Sequence, residues 1–229
     1  MTPDAAAWDA LRLSLRVAIW ATVLAIPLAL WVAWLLARRD FWGKSLLNAA
    51  VHLPLVLPPV VTGYLLLMAF GRSAPLGRAL EAIGLQLAFH WSGAVLAAMI
   101  MGFPLMVRAM RLAIEAVDPK LEEAAASLGA SRQSVFGRVT LPLILPGILA
   151  GTVMGFAKAM GEFGATITFV ANIPGQTQTL PSAIWSALQI PGGEGQAVVM
   201  VLMASAVAVS AVLLSEMLAR RVAARIAGT

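Results

Sequence analysis

The sequence has no cysteine and few charged residues, and each scarcity excludes a class of function. Without cysteine, the 229-residue chain can form no disulfide, no thiolate metal site and no cysteine nucleophile. Charged residues make up 12% of the chain, about half the share typical of a soluble domain. Hydrophobic residues account for 60% and gather in runs of about twenty, which is long enough to cross a bilayer. The composition therefore predicts a multi-pass membrane protein without a sizeable soluble domain.

Enzyme signatures are also missing. The sequence has no H-E-x-x-H, G-x-S-x-G or P-loop pattern, and its two histidines, His52 and His90, are predicted near opposite membrane faces. We therefore expect no catalytic residue and no metal site, and we expect this chain to bind no cofactor. An intramembrane protease or lipid hydrolase is an alternative from another class. It is disfavoured because the apolar segments hold neither an Asp pair nor a Ser–His arrangement.

Five apolar segments dominate the chain. In hydrocarbon every backbone N–H and C=O must be bonded within the protein, so these segments are predicted to be helices. The expected fold class is all-α and transmembrane, a bundle of about five spanning helices in one domain, 1–229. The predicted spans are Leu13–Ala37, Val51–Phe70, Phe89–Leu112, Leu141–Met160 and Ala197–Ala219.

Lysine and arginine are distributed unevenly between the connecting segments, and cytoplasmic loops are the ones enriched in these residues. This rule places the N-terminus outside, the C-terminus inside and the segment Asp118–Arg138 in the cytoplasm. The excess of cations, a net charge of +5, is thus assigned to membrane topology and not to nucleic-acid binding. The cations on the richer side are Arg38, Arg39, Lys44, Arg108, Arg111, Lys120, Arg132, Arg138, Arg220, Arg221 and Arg225.

The segment Gly161–Gly195 is less apolar and contains three prolines. We predict that it lies on the outer face and is partly re-entrant, with a short helix at Ser182–Ile190. A sixth span hidden here is the alternative. It would move the C-terminal arginines to the outside and break the charge rule.

The polar loop at about 115–140 has the local signals of a helical hairpin. Asp118 is a good N-cap, and Pro119 suits the first helical position. Gly129 can adopt the left-handed conformation that ends a helix, and Ser131 can cap the next one. The loop is therefore predicted to be two short helices joined by a sharp turn.

The same loop carries the spaced pattern E-A-A-x3-G-x9-I-x-L-P, with Val139 in place of isoleucine. The pattern resembles the cytoplasmic coupling loop of ABC importer permeases. The resemblance implies that the loop docks on a separate cytoplasmic ATPase, which binds ATP and magnesium and drives the transport. The residues assigned to ATPase coupling are Glu122, Glu123, Ala124, Ala125, Gly129, Leu141 and Pro142.

The second apolar segment contains Pro54, Pro58 and Pro59, each of which removes a backbone donor and clashes with the preceding turn. Broken helices in transporters tend to line substrate paths, although a purely structural kink is the alternative. The residues assigned to the translocation path or gate are Pro58, Pro59, Thr62, Gly63, Lys158, Gly161, Glu162, Gly164 and Thr166.

Two features of the fourth span have alternative readings. Lys158 and Glu162 are four residues apart and can pair. One interpretation is an interfacial anchor pair near the outer end of the helix. The other is that Lys158 helps to receive an anion. Gly147, Gly151 and Gly155 form a small-residue stripe for close helix packing, against this chain or a second copy.

Two longer stretches, HLPLVLPPVVTGYLLL at His52–Leu67 and GEFGATITFVANIPGQTQTLPSAIWSALQIPGGE at Gly161–Glu194, resemble molybdate-type permeases. The resemblance implies a homodimer in a bacterial inner membrane that binds two ATPase subunits. A periplasmic binding protein would deliver a tetrahedral oxyanion. The same machine carrying sulfate, thiosulfate or tungstate is the near alternative. A self-sufficient channel or secondary carrier is a further one.

Overall fold

The computed structural model describes residues 4–227, and within the last helix it describes no side chain at positions 215, 218–220 or 222–227. The predictions for the side chains of Arg220 and Arg225 therefore lie outside what the structure describes. Every regular element in the described part is helical. The helices are α1 Ala5–Arg38, α2 Lys44–Val56, α3 Pro59–Phe70, α4 Pro75–Ala82, α5 Trp91–Glu115, α6 Pro119–Ser127, α7 Arg132–Val135, α8 Leu141–Met160, α9 Gly164–Val170, α10 Leu180–Leu188 and α11 Glu194–Ala227.

Four helical rods are long and apolar enough to cross a membrane, and a bent pair makes a fifth span if its two helices are counted as one. The four are α1, α5, α11 and the rod that runs from α7 through α8. The pair is α2 and α3, which meet at an angle of 113°. The predicted all-α class with about five spans is confirmed, and no sixth span occurs among residues 4–227.

The core is built where α1 and α8 lie against α5. The face that α1 buries is mostly alanine, including Ala18, Ala25 and Ala33, and small side chains let two helix backbones approach closely. Two of the buried clusters of side chains succeed each other along α1 and α5. The outer cluster includes Val17, Ala98 and Phe169; the inner one includes Ala29, Leu36, Met106, Met110 and Ile144.

The glycine stripe of α8 packs within the chain. A Cβ on Gly147 would collide with Ala113, and one on Gly151 would lie 3.2 Å from the Met106 carbonyl oxygen of α5. Gly155 lies against Met106 and Gly102 of the same helix. The partner that the sequence left open is thus α5, and the stripe does not need a second copy.

The break in the second span is narrower than predicted. Pro54 lies inside α2, and the helix continues past it to Val56. The chain leaves the helical conformation only at Leu57 and Pro58, and Pro59 then occupies the first position of α3, where a missing N–H costs nothing. The prediction that Pro54 breaks the segment was wrong, whereas the break at Pro58 and Pro59 is confirmed.

The segment after α8 lies deeper than predicted. α9 packs against α3 and α5: Gly164 touches Pro59 at the break, and the N–H of Phe89 donates to the carbonyl oxygen of Phe169. The chain therefore runs outward through α9 inside the bundle and reaches the outer face only beyond it. The predicted re-entrant character holds, but placing Gly161 to Val170 on the outer face was wrong.

The contact between α3 and α9 gives a test of the packing. A Cβ on Gly63 would lie 2.9 Å from the Cα of Ala165 and closer still to its carbonyl oxygen. Overpacking of this kind costs about 1–3 kcal/mol. We expect Gly63→Ala to lower the thermal unfolding midpoint in detergent. Gly137→Ala, at a site with open space around it, serves as the matched control. Equal midpoints for the two variants would contradict this packing.

Candidate functional site

The cytoplasmic loop folds as the predicted hairpin. The carboxylate of Asp118 accepts the N–H of Lys120 at 2.9 Å and caps α6. Gly129 has φ +87° and reverses the chain, which only glycine does without strain. The hydroxyl of Ser131 accepts the N–H of Ser134 at 3.3 Å and caps α7. Local capping chemistry alone thus forms the turn.

The second arm of the hairpin is not a separate short helix. α7 passes into a π-helical turn at Phe136–Thr140, and the N–H of Leu141 then bonds to the carbonyl oxygen of Phe136. Together with α8 this makes one helical rod of 29 residues, Arg132–Met160. The hairpin is therefore rigidly continuous with a membrane span. Leu141 and Pro142 lie inside that rod and not at the tip of the hairpin.

Glu122 joins three elements at the inner membrane surface. Its Oε1 accepts the hydroxyl of Thr140 at 2.6 Å and the guanidinium of Arg38 at 3.2 Å. The Arg38 and Glu122 side chains are 20% and 26% exposed, so solvent screens the pair only in part. The bonds fix α6 to the end of α1 and to the π-turn. This carboxylate was predicted to offer charge to another subunit, but it is engaged inside the chain.

The face of α6 that does not contact α1 or the π-turn is exposed to solvent. Glu123 and Ala124 are exposed, and Leu121 and Leu128 expose 50% and 89% of their surface. Sequence reasoning missed these two leucines because it relied on the spaced glutamate, alanines and glycine. Two exposed leucines beside a short cytoplasmic helix form a small apolar ridge that suits contact with another protein.

Two ion pairs lie on the cytoplasmic rim beside the hairpin. Arg111 donates to Glu115 at 2.7 Å and to the side-chain oxygen of Asn48 at 3.2 Å. The ammonium of Lys44 donates to the carboxylate of Asp40 at 2.8 Å. This hydrogen bond and the accompanying attraction hold the pKa of Asp40 below its ordinary value.

The residues assigned to the path come together where two breaks in the helices meet. Gly164, at the start of α9, contacts Pro59 at the start of α3. One turn further along, Gly63 lies against Ala165. In both contacts a glycine lies so near the facing segment that a Cβ would collide with it, which explains why small residues occupy these positions. Residues separated by about one hundred positions in sequence thus form one cluster.

Lys158 and Glu162 lie inside this cluster. The ammonium donates to Oε2 of Glu162 at 2.9 Å, and the N–H of Ala165 donates to Oε1 at 2.9 Å. The Glu162 side chain is 2% exposed and that of Lys158 is 30% exposed. Gly155, one turn before Lys158, packs against Gly102, the twelfth of the 25 residues of α5. The pair therefore lies about one helical turn beyond the middle of α5, and its role as an interfacial anchor or as an anion receptor stays a prediction.

Only some of the clustered residues reach a surface. Pro58 and Gly161 are exposed and Lys158 is partly so. Thr62, Gly63 and Thr166 are buried and pack behind them. A lining role for those three is not supported by their positions in the single chain. Among the described residues the Thr62 hydroxyl has no hydrogen-bond partner.

Comparisons with known proteins agree on one group. Residues 25–224 match the family model described as "Binding-protein-dependent transport system inner membrane component". The chain is 55% identical to the molybdenum transport system permease protein ModB of Escherichia coli K12, over 93% of both chains. It is 54% identical to ModB of Haemophilus influenzae over the same shares.

A solved structure shows the same fold at low identity. It is a crystal structure of a bacterial ABC transporter involved in import of the polysaccharide alginate. The two chains share 19% identity with a TM-score of 0.74, over 95% of this chain and 80% of the other.

The Gly129 turn gives a test of the hairpin. A β-branched residue at φ +87° is strained by about 1–2 kcal/mol or more, so Gly129→Val is expected to open the hairpin. Hydrogen exchange of the amides at 119–135 should become faster. The matched control is Gly137→Val, which lies in the same loop with no atom within 4 Å of its Cβ position and without positive φ. Unchanged exchange in Gly129→Val would refute the turn.

Proposed function

The chain belongs to the family of binding-protein-dependent transport system inner membrane components, and from this membership we propose that it is the permease subunit of an ATP-driven ABC importer for molybdate. The observation that carries the proposal is the 55% identity to a molybdenum permease along 93% of the chain. The protein is a multi-pass membrane protein with a cytoplasmic coupling hairpin.

The assembly that we propose has two copies of this chain in a bacterial inner membrane. Two cytoplasmic ATPase subunits bind ATP and magnesium and contact the hairpins, because this sequence carries no P-loop. A periplasmic protein delivers the oxyanion. This chain has no catalytic role in the proposal. It supplies the translocation path and the rigid hairpin, a lever that transmits the motion of the ATPase subunits to the membrane helices.

The lever runs from the exposed face of α6 to the middle of the membrane. An ATPase that moves Glu123 and Leu128 also moves the π-turn, because Glu122 bonds to Thr140. The π-turn belongs to the rod Arg132–Met160, so the displacement reaches the far end of α8. The Arg38 contact passes part of it to α1. A rigid hairpin is needed here, since a flexible loop would absorb the motion.

Lys158 provides a partly exposed cation one helical turn before the exposed Gly161. Molybdate is a tetrahedral dianion, and a desolvated anion in a membrane needs a nearby positive charge. Glu162 already holds the ammonium at 2.9 Å and competes with the cargo, which keeps binding weak. A permease must release its cargo, so a lysine with an internal carboxylate suits passage better than a dense arginine cluster.

Reconstitution tests the cargo. Vesicles with this chain, its ATPase and its binding protein receive labelled molybdate, tungstate or sulfate. We expect molybdate to raise ATP hydrolysis and uptake together. A response to sulfate or tungstate alone would support the ABC importer but assign it a different cargo. ATP-independent flux would overturn the importer and favour a channel or carrier.

The role of Lys158 requires a double variant, because removing one member of a buried ion pair is strongly destabilising. Lys158→Met with Glu162→Gln leaves no unpaired charge, and glutamine can still accept the N–H of Ala165. We expect this variant to keep a near-normal unfolding midpoint. Its molybdate uptake should fall about tenfold, a loss of roughly 1.4 kcal/mol of stabilisation.

The single variant Glu162→Gln is a comparison for this prediction once its unfolding midpoint has been measured, because it leaves unpaired the ammonium of Lys158, the more exposed member of the pair. It frees the ammonium from its carboxylate, so the cargo should be held more tightly and uptake should saturate at lower molybdate concentration. Normal uptake in the folded double variant would mean that the pair serves packing only.

A further inference from the structure

A groove of about 930 Å³ separates the inner half of α1 from the hairpin. We call it the inner groove. Its α1 wall carries Pro27, Leu30, Trp31 and Trp34, and its other wall carries Arg132 and Phe136. The contacts of Glu122 with Arg38 and Thr140 border the groove, but the proposed transport cycle assigns no ligand to the groove itself.

The inner groove extends from mid-membrane to the inner surface. Between Arg16 and Arg38, α1 has 21 residues without charge. They span about 31 Å at 1.5 Å per residue, close to the hydrocarbon thickness of roughly 30 Å. Pro27 lies halfway along this stretch. The distance from Pro27 to Arg39 is thus about one leaflet.

The lining changes from apolar to cationic along this length. Trp31, 61% exposed, covers the deep part with Pro27. At the surface the guanidinium of Arg39 lies 5.3 Å from the ring centroid of Trp34, and Arg132 is exposed on the opposite wall. In the described part of the chain neither arginine forms an ion pair with a carboxylate.

We propose that the inner groove binds an anionic phospholipid of the cytoplasmic leaflet. Its phosphate would lie between Arg39 and Arg132, and one acyl chain would run along Trp31 toward Pro27. A ligand that fills the groove must be apolar over one leaflet and anionic at the surface, which describes such a lipid. A cytoplasmic subunit can cover the arginines but cannot enter hydrocarbon to the depth of Pro27.

Two carboxylates border the same groove and limit the charge it offers. Glu122 is neutralised by Arg38 at 3.2 Å. Glu123 is exposed and opposes a phosphate, but contact with the ATPase occupies it in the proposed assembly. The arginines therefore dominate at the inner surface. The lipid would bridge α1 and the hairpin, so the coupling step would depend on anionic lipid.

The absence of cysteine makes a direct test practical. Leu30→Cys carries a fluorophore inside the groove, and Leu28→Cys, at similar depth on another face, carries it outside. The assembled transporter is placed in nanodiscs with nitroxide-labelled phosphatidylglycerol or phosphatidylcholine at equal mole fraction. We expect quenching at position 30 to show about a tenfold preference for phosphatidylglycerol. Position 28 should show no preference.

Charge variants identify the binding residues. In Arg39→Gln/Arg132→Gln the preference at position 30 should disappear. The matched control Arg72→Gln/Arg78→Gln removes the same charge on the outer side and should leave it intact. Equal quenching by the two lipids, or an unchanged preference in the inner variant, overturns the proposal. Protection from both lipids means that a second copy or the ATPase fills the groove and also overturns it.

This measurement uses neither ATP nor molybdate. Its failure is therefore distinguishable from failure of the transport proposal, which uptake decides. If the lipid binds, ATP hydrolysis stimulated by cargo should in addition be higher in phosphatidylglycerol than in phosphatidylcholine membranes.

Discussion

Close backbone contact with α5 is the constraint on which the rest of the molecule depends. In a bilayer there is little hydrophobic force between helices, so association relies on tight packing. Alanines on α1 and glycines on α8 provide it from two sides. Since α5 is the most buried of the described spans and α11 the least, α5 forms the centre against which the others are arranged.

Features encoded by neighbouring residues were predictable from the sequence. The cap at Asp118, the turn at Gly129 and the break at Pro58 each follow from the chemistry of one or two residues. Helix type and number follow from apolar length, because the bilayer leaves few options for the backbone. The orientation predicted from the placement of lysine and arginine stays a prediction.

Features that depend on distant contacts were not predictable in this way. Nothing local shows that Glu122 reaches Arg38 and Thr140, which lie 84 and 18 residues away. The depth of α9 depends on glycine contacts with α3, and the hydropathy of Gly161–Gly195 suggested a surface loop instead. Motif reasoning assigned to the path residues that do lie together, but only packing separates the exposed members of this cluster from buried ones such as Thr166.

The π-turn at Phe136–Thr140 affects the direction in which the hairpin faces around the axis of α8. A π-turn holds one residue more than an α-turn, and each residue of an α-helix turns the chain by about 100°. Deleting one residue there would restore a regular helix with the facing of the hairpin unchanged, whereas winding the same residues as a regular α-helix would rotate the hairpin by about that angle around the axis of α8. Its docking face would then point away from the subunit beneath it. The wide turn thus takes up one extra residue while it preserves the direction in which the hairpin faces.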